Sequence, residues 1–168
     1  MGAHPYFYFI PYQKDIRAAL QALREREFKA GRYDPAMQMA DPPTYMFQMR
    51  FPPDESWPSP GAQHNSVEEA IDASTESGTG SILDLSRVGS VPDFCTVCPL
   101  DDEDSVQLFG TTTPTREQLE TVLLTKWKPG SPAFHLFWDR IERGQGRYIA
   151  TYSDSEPREI FFVGYSFD

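Results

Sequence analysis

Two stretches near the C-terminus decide the fold: Tyr148-Ile149-Ala150-Thr151-Tyr152 and Ile160-Phe161-Phe162-Val163-Gly164-Tyr165. Both are rich in aromatic and β-branched residues, which is typical of strands. The residues between them include Asp154-Ser155-Glu156-Pro157, which favour a turn, so the pattern predicts a β-hairpin. Because the second strand is almost entirely apolar, we expect the hairpin near the centre of a sheet. Gly164 predicts a bulge or a close backbone approach there.

Other elements precede the hairpin along the chain. The aromatic stretch Tyr6–Ile10 predicts a strand. Apolar residues recur at helical spacing over about residues 14–30, which predicts a helix that ends at Gly31. Residues 44–51 predict another strand, and residues 52–61 predict a loop because they include four prolines.

The middle of the chain mixes helix and strand signals. Ser66-Val67-Glu68-Glu69 has the sequence of a capping box, with Glu69 reaching back to the Ser66 N–H, and predicts a helix over about residues 67–75. Residues 81–85 and 93–97 predict short strands. Residues 101–110 predict an acidic helix that Asp101 caps and that ends near its glycine.

Two later helices each begin with proline at the first position, at Thr113-Pro114 and at Ser131-Pro132. Helices and strands thus follow one another in an irregular order, which predicts an α+β fold. We expect a single domain over residues 1–168. It should have a mainly antiparallel sheet with a C-terminal hairpin and about four to five helices.

The charge of the chain is concentrated in its middle third. The 168 residues include 25 acidic and 15 basic side chains, for a net charge of −10. Residues 52–112 contain 12 of the acidic and only 1 of the basic side chains. Such a balance argues against binding to nucleic acid or to anionic lipid through phosphate neutralisation. It fits either a solvated face that keeps the protein soluble or a surface that attracts a basic partner.

The second interpretation gives a set of candidate binding residues. They are the carboxylates of the acidic segment and one tryptophan in the proline-rich loop, since tryptophan is favoured as an interface anchor. The candidates are Trp57, Asp54, Glu55, Glu68, Glu69, Asp101, Asp102, Glu103 and Asp104.

Two histidines offer a different kind of site. His64 lies in a loop that enters a helix, where a general base that is oriented by Asp84 or Asp93 would suit a small hydrolase or transferase. The sequence favours the alternative, in which His64 is an exposed loop histidine. His135 is four residues before Asp139, so the two can share a helix face. The aromatic neighbours of His135 favour a place beside the core instead.

Cys95 and Cys98 have the C-x-x-C spacing of a redox pair. Strand-like flanks and the four acids at residues 101–104 argue against an activated thiolate, because negative charge raises a thiol pKa. Two small apolar residues in or beside a strand are the alternative. We expect no metal and no cofactor, since no second ligand pair and no nucleotide-binding or zinc motif occurs.

No window approaches the roughly 18 apolar residues that a membrane span needs. The first residues lack a basic region, which argues against a secretory signal. We therefore expect a cytoplasmic protein that contacts no membrane.

Four segments carry a resemblance to other proteins: residues 11–33, residues 139–146, residues 161–168 and Pro58-Ser59-Pro60-Gly61-Ala62-Gln63-His64. Together they resemble a family of short, uncharacterised bacterial proteins over most of the chain. That family has no known activity, so the resemblance implies no catalytic residue. In size and acidity the chain is also similar to immunity proteins that neutralise bacterial toxins.

The sequence thus supports three hypotheses. The first is a non-enzymatic binding protein for a basic partner, with an immunity or antitoxin role as its specific form. The second is the small enzyme that uses His64. The third is a scaffold or oligomer that assembles through the edge of the aromatic hairpin.

Overall fold

The C-terminal hairpin lies inside a five-stranded sheet, as its apolar sequence predicts. The computed structural model describes residues 5–39, 58–74, 77–125 and 130–167. Its strands are β1 (Pro5–Pro11), β2 (Arg87–Val88), β3 (Thr96–Pro99), β4 (Gln145–Ser153) and β5 (Glu156–Tyr165), and their order across the sheet is β1-β5-β4-β3-β2. The described elements therefore form one mixed sheet with helices, an α+β architecture.

The pairing of the strands corrects part of the fold prediction. The long ladders, β1 with β5 and β4 with β5, are antiparallel as expected. However, β3 runs parallel to β4, and β2 runs parallel to β3. The chain between β3 and β4 is long and helical, so it can return to the end of the sheet where β3 begins, which a parallel pair requires.

The hairpin has a tight turn at Asp154 and Ser155, whose φ angles are +53° and +65°. Two consecutive residues with positive φ are the mark of a type I′ turn, whose twist matches that of the flanking strands. The ladder shifts register between Thr151 and Tyr152, so the bulge lies near the turn and not at Gly164.

Both faces of the sheet are buried. Ile160, Phe161, Phe162 and Val163 of β5 are each 0% exposed, although neighbouring residues of a strand point to opposite faces. One cluster contains Ile160 and Phe162, and the other contains Phe161 and Val163. Helices must therefore cover the sheet on both sides.

The two helical layers come from different parts of the chain. The first layer contains α1 (Ile16–Ala30) and α3 (Val67–Ser74), and α2 (Ala36–Met39) packs into the same cluster. The second layer contains α4 (Asp102–Phe109), α5 (Arg116–Leu119) and α6 (Pro132–Leu136). These are six α-helices within the described ranges, against the four to five expected. We call the first group of helices the α1 layer and the second group the α4 layer.

Several predicted ends and caps are confirmed. Gly31 ends α1 with φ of +73°, as predicted, and the start of the helix, for which no cap was predicted, is capped by Asp15, which accepts a hydrogen bond from the Ala18 N–H. Ser131 caps α6, and Pro132 occupies its first turn. The helix expected from Pro114 begins two residues later, because Thr115 forms a capping box with Gln118.

Two segments differ from the predicted secondary structure. Residues 81–85 are not a strand, because Ile82–Asp84 form a 3-10 helix. The Ser81 hydroxyl caps this helix by accepting a hydrogen bond from the Leu83 N–H. After α5 the chain continues as a π-helix over Glu120–Thr125. A predicted strand at 44–51, and the part of the proline-rich loop that holds Asp54, Glu55 and Trp57, lie outside the described residues.

Two glycines that pair across neighbouring strands, Gly146 and Gly164, leave a shallow trough on the α1 face of the sheet. Gly164 pairs with Tyr6 on one side and with Gly146 on the other. A Cβ at Gly164 would lie 2.9 Å from both Cε2 and the hydroxyl oxygen of Tyr6 and 3.0 Å from Cδ1 of Leu85. The predicted close approach is thus made by side chains, since the Tyr6 ring and Leu85 fill the space that the glycines leave.

The trough predicts a coupled effect on stability. We expect Gly164→Ala to lower the free energy of unfolding by about 1–3 kcal/mol, because the new methyl group overpacks the Tyr6 ring. In Gly164→Ala combined with Tyr6→Leu, the smaller side chain should make room for that methyl group. The loss should then be smaller than the sum of the two single losses.

Urea denaturation, followed by circular dichroism, measures the free energy of unfolding of the wild-type chain, the two single variants and the double variant. Strictly additive losses would show that Tyr6 is not the group against which Gly164 packs.

Candidate functional site

The acidic residues of the middle segment fall into two groups on opposite sides of the sheet. Glu68 and Glu69 belong to α3, whose Ala70 packs in the α1 layer. Asp102, Glu103 and Asp104 belong to the helix whose Phe109 packs in the α4 layer. The sheet therefore lies between the two groups, and the candidate binding carboxylates of α3 and α4 are on two separate faces.

The α3 group stabilises the start of its own helix. The Ser66 hydroxyl accepts from the Glu69 N–H at 3.1 Å, as the capping box predicts. The Glu69 carboxylate bonds to the backbone N–H and side-chain amide of Asn65, both at 2.9 Å, rather than to the Ser66 N–H. These Asn65 bonds lower the pKa of Glu69, and bonds from its own N–H and from Ser66 lower the pKa of Glu68. Both side chains are exposed.

The α4 group combines a cap, an ion pair and two exposed carboxylates. Asp101 caps α4 by accepting from the Asp104 N–H at 2.7 Å, and Gly110 ends the helix with φ of +75°, so both predicted ends are confirmed. Asp104 forms a salt bridge with Arg140. Asp102 and Glu103 remain exposed on the first turn, where negative charge also favours the helix dipole.

An apolar groove lies beside this acidic turn. The name "α4 groove" is used here for a cavity of about 280 Å³ between α4, the π-helix and α6. It is lined by Gln107, Leu108, Val122, Ser131, Pro132, Ala133 and Leu136. The Gln107 amide donates to the Glu103 carboxylate at 3.4 Å, so the acidic turn and the groove share one wall of α4.

Core packing fixes the position of the π-helix, which forms another wall of the groove. The Trp138 indole N–H donates to the Leu123 carbonyl inside the π-helix at 3.2 Å. Trp138 is 2% exposed and Leu123 is 0% exposed, while the neighbouring Val122 is only partly buried and faces the groove. The π-helix is therefore anchored on its inner side and presents an apolar side chain on its outer side.

A second unusual feature is the buried carboxylate of Asp84, which is 2% exposed. Its Oδ1 accepts from the backbone N–H and the hydroxyl of Thr79 at 2.7 and 2.8 Å. Its Oδ2 and the Tyr6 hydroxyl have no hydrogen-bond partner within the part of the chain that the structure describes. Burial raises the pKa of Asp84 to about 6, although the Thr79 hydrogen bonds and the Arg24 charge oppose the rise.

Arg24 is the nearby cation for this carboxylate, and its own position is buried. Arg24 Nη2 donates to the Leu83 carbonyl at 3.1 Å, and Nη1 donates to the Gln21 side-chain oxygen at 2.9 Å. Burial lowers the pKa of Arg24, while the charges of Glu68 and Asp84 raise it. Asp84 and Arg24 thus form a buried polar centre under the first helical layer, enclosed by protein.

The structure does not join His64 to a catalytic carboxylate. His64 Nδ1 lies 2.9 Å from the Tyr33 hydroxyl, which also accepts from the Gln63 N–H at 3.2 Å. Among the described carboxylates, none is hydrogen-bonded to His64, so its role as general base stays a prediction.

The other residues proposed for chemistry also have structural partners. Asp93 pairs with Arg87 at 3.3 Å and accepts from the Phe94 N–H at 2.8 Å. His135 Nδ1 lies 2.6 Å from Asp139 Oδ2, so the expected pair forms, with the imidazole exposed on the surface.

The cysteines favour the structural interpretation. Cys98 is buried in β3, and Cys95 precedes that strand with φ of +55°. Both are free thiols. Burial raises the pKa of each thiol, and the Asp84 charge raises that of Cys95 further. An attacking thiolate needs the opposite shift.

The described ranges contain neither a metal-ligand cluster nor a helix of membrane-spanning type. Within them, no cluster of three or more His, Cys, Asp or Glu side chains is arranged to hold a metal ion. No helix in the same ranges is both long enough and apolar enough to cross a bilayer.

The α4 groove is the feature that sequence reasoning missed. Val122, which lines the groove, has a spacing that fits a core residue equally well, because a helix that lines a groove has the same apolar spacing as one packed against a sheet. The sequence contains no separate signal for the difference.

Comparison with known proteins provides no relative from which a function could be inferred. No family model, no curated protein and no solved structure matches this chain. The resemblance to short bacterial proteins therefore stays a prediction, and the function has to be argued from the molecule itself.

The raised pKa of Asp84 predicts a pH-dependent stability. The folded chain holds the Asp84 proton with a pKa of about 6, against the ordinary value of 3.8 in the unfolded chain. Asp84 therefore contributes its full stability below pH 3.8 and loses it as the pH rises through about 6. Relative to Asp84→Asn, the free energy of unfolding of the wild-type chain should fall by roughly 2–3 kcal/mol from pH 4 to pH 7.

Urea denaturation at a series of pH values measures this difference. Asp72→Asn, which removes an exposed carboxylate from α3, is the matched control. Parallel pH profiles for the wild-type chain and Asp84→Asn would contradict the buried titration.

Proposed function

We propose that this chain is a non-enzymatic binding protein for a basic protein partner, with an immunity or antitoxin role as its specific form. The observation that supports this best is the α4 face, where Asp102 and Glu103 are exposed beside an apolar groove. Exposed carboxylates attract and orient a basic surface, and apolar area supplies the binding energy that charge alone does not.

The interface we propose is narrower than the acidic segment as a whole. Asp101 and Asp104 are engaged in the cap and in the salt bridge with Arg140, so they act mainly on α4 itself. Glu68 and Glu69 face away on the other side of the sheet. Asp102 and Glu103 are the carboxylates that we assign to the partner.

The alternative of a small hydrolase or transferase at His64 has no specific observation in its favour. His64 is hydrogen-bonded to Tyr33, Asp84 to Thr79, and Asp93 is paired with Arg87. The third hypothesis, assembly through the hairpin edge, also has no specific observation in its favour, since β5 has strand neighbours on both sides and β3 pairs with the first four residues of β4.

Charge neutralisation tests the proposal. We expect Asp102→Asn combined with Glu103→Gln to weaken binding of a lysine-rich peptide by roughly three- to tenfold at low salt, because two exposed attractions are lost. The weakening should shrink as salt is added. Fluorescence anisotropy of the labelled peptide measures the dissociation constants.

Glu68→Gln combined with Asp72→Asn is the matched control, since it removes the same charge from α3. It should change the affinity by less than about twofold. Equal losses in the two double variants would mean that only the net charge matters and would contradict a defined interface on α4.

The antitoxin form adds a test in cells. If the partner is a basic toxin encoded beside this chain, co-expression of the chain should restore growth, and the Asp102→Asn, Glu103→Gln variant should restore it less. Growth inhibition that the wild-type chain leaves unchanged would contradict this role.

A further inference from the structure

We infer that the α4 groove takes one apolar side chain of the basic partner, while a lysine or arginine about one helical turn away meets Glu103. The inference rests on the proposed function and deepens it, because it specifies what the partner must present. The partner is then a basic segment with a single large aliphatic or aromatic side chain at its centre.

The size of the groove fits a side chain. Its volume is about 280 Å³. Pockets for cofactors and drug-sized ligands range from about 300 to 1,000 Å³ and bury most of the ligand. A space at or below the lower end of that range suits one large side chain that enters from a neighbouring surface.

The lining of the groove fits an apolar side chain. Leu108, Val122 and Leu136 are partly buried and come from three different elements, α4, the π-helix and α6. Ala133 has a short side chain at the same place, which leaves room on the α6 wall. Burying an apolar side chain among these groups is favourable in proportion to the area removed from water.

The charge beside the groove selects a basic occupant. Glu103 lies one turn before Gln107 on α4, and the hydrogen bond between them shows that both are on the same side of the helix. Asp104 lies one turn before Leu108, but its charge is balanced by Arg140. The turn before the groove is thus left with the exposed charges of Asp102 and Glu103, which favour a cation and repel an acidic or phosphate-bearing partner.

Two synthetic peptides test this geometry with the full chain. Each is a lysine-rich helical peptide of about four turns, and the two differ only in one central residue, leucine or alanine. We expect the leucine peptide to bind about tenfold or more tightly than the alanine peptide. Fluorescence anisotropy at fixed salt measures both dissociation constants.

Ala133→Trp fills the groove and should abolish the preference for leucine while the alanine peptide binds as before. Ala22→Trp, at an exposed position of α1 on the opposite layer, is the matched control and should leave the preference intact. Gln107→Trp places a ring at the exposed mouth of the groove and gives a second variant if Ala133→Trp fails to fold.

The outcomes separate the inference from the proposed function. Equal binding of the two peptides, weakened equally by Asp102→Asn with Glu103→Gln, would overturn the inference and leave the proposed function standing. Failure of the chain to bind either peptide would overturn both. Analytical ultracentrifugation shows whether the chain forms a dimer. A dimer that Ala133→Trp dissociates would mean that a second copy of the chain occupies the groove, and it would overturn the inference.

Discussion

The central constraint of this structure is that β5 is paired along both of its edges and buried on both of its faces. Ile160 to Val163 form four consecutive buried apolar residues, which is the pattern of a strand inside a layered fold. Such a strand is stable only when helices cover the sheet on each side. The rest of the chain is arranged to supply that cover, with β1 and β4 as the strand neighbours of β5.

This constraint divides the acidic middle of the chain. The segment supplies α3 to one layer and α4 to the other, so its charges are separated by the sheet although they are close in sequence. The charge on α3 stabilises its own helix start through Asn65 and Ser66. The charge on α4 lies beside an apolar groove, and the proposed interface rests on this juxtaposition.

The first helical layer accommodates an unusual polar interior. Gly164 and Gly146 leave space on the sheet that Tyr6 and Leu85 fill. The same layer buries the carboxylate of Asp84, whose pKa of about 6 shows that burial outweighs its hydrogen bonds and its nearby cation. Buried charge of this kind lowers stability near neutral pH, so the apolar packing on both faces of β5 has to offset it.

Local signals in the sequence determined where most elements begin and end. The strand at Tyr6–Ile10, the ends of α1 and α4 and the hairpin all follow from capping residues, glycines and apolar spacing, which act over a few residues. Contacts between distant residues decided the rest: the parallel pairing of β3, the 3-10 helix at residues 82–84 and the π-helix that Trp138 anchors. The candidate site belongs to this second group. Its carboxylates could be named from the sequence, but the groove arises only where three helical segments meet, and apolar spacing cannot distinguish a groove wall from a core.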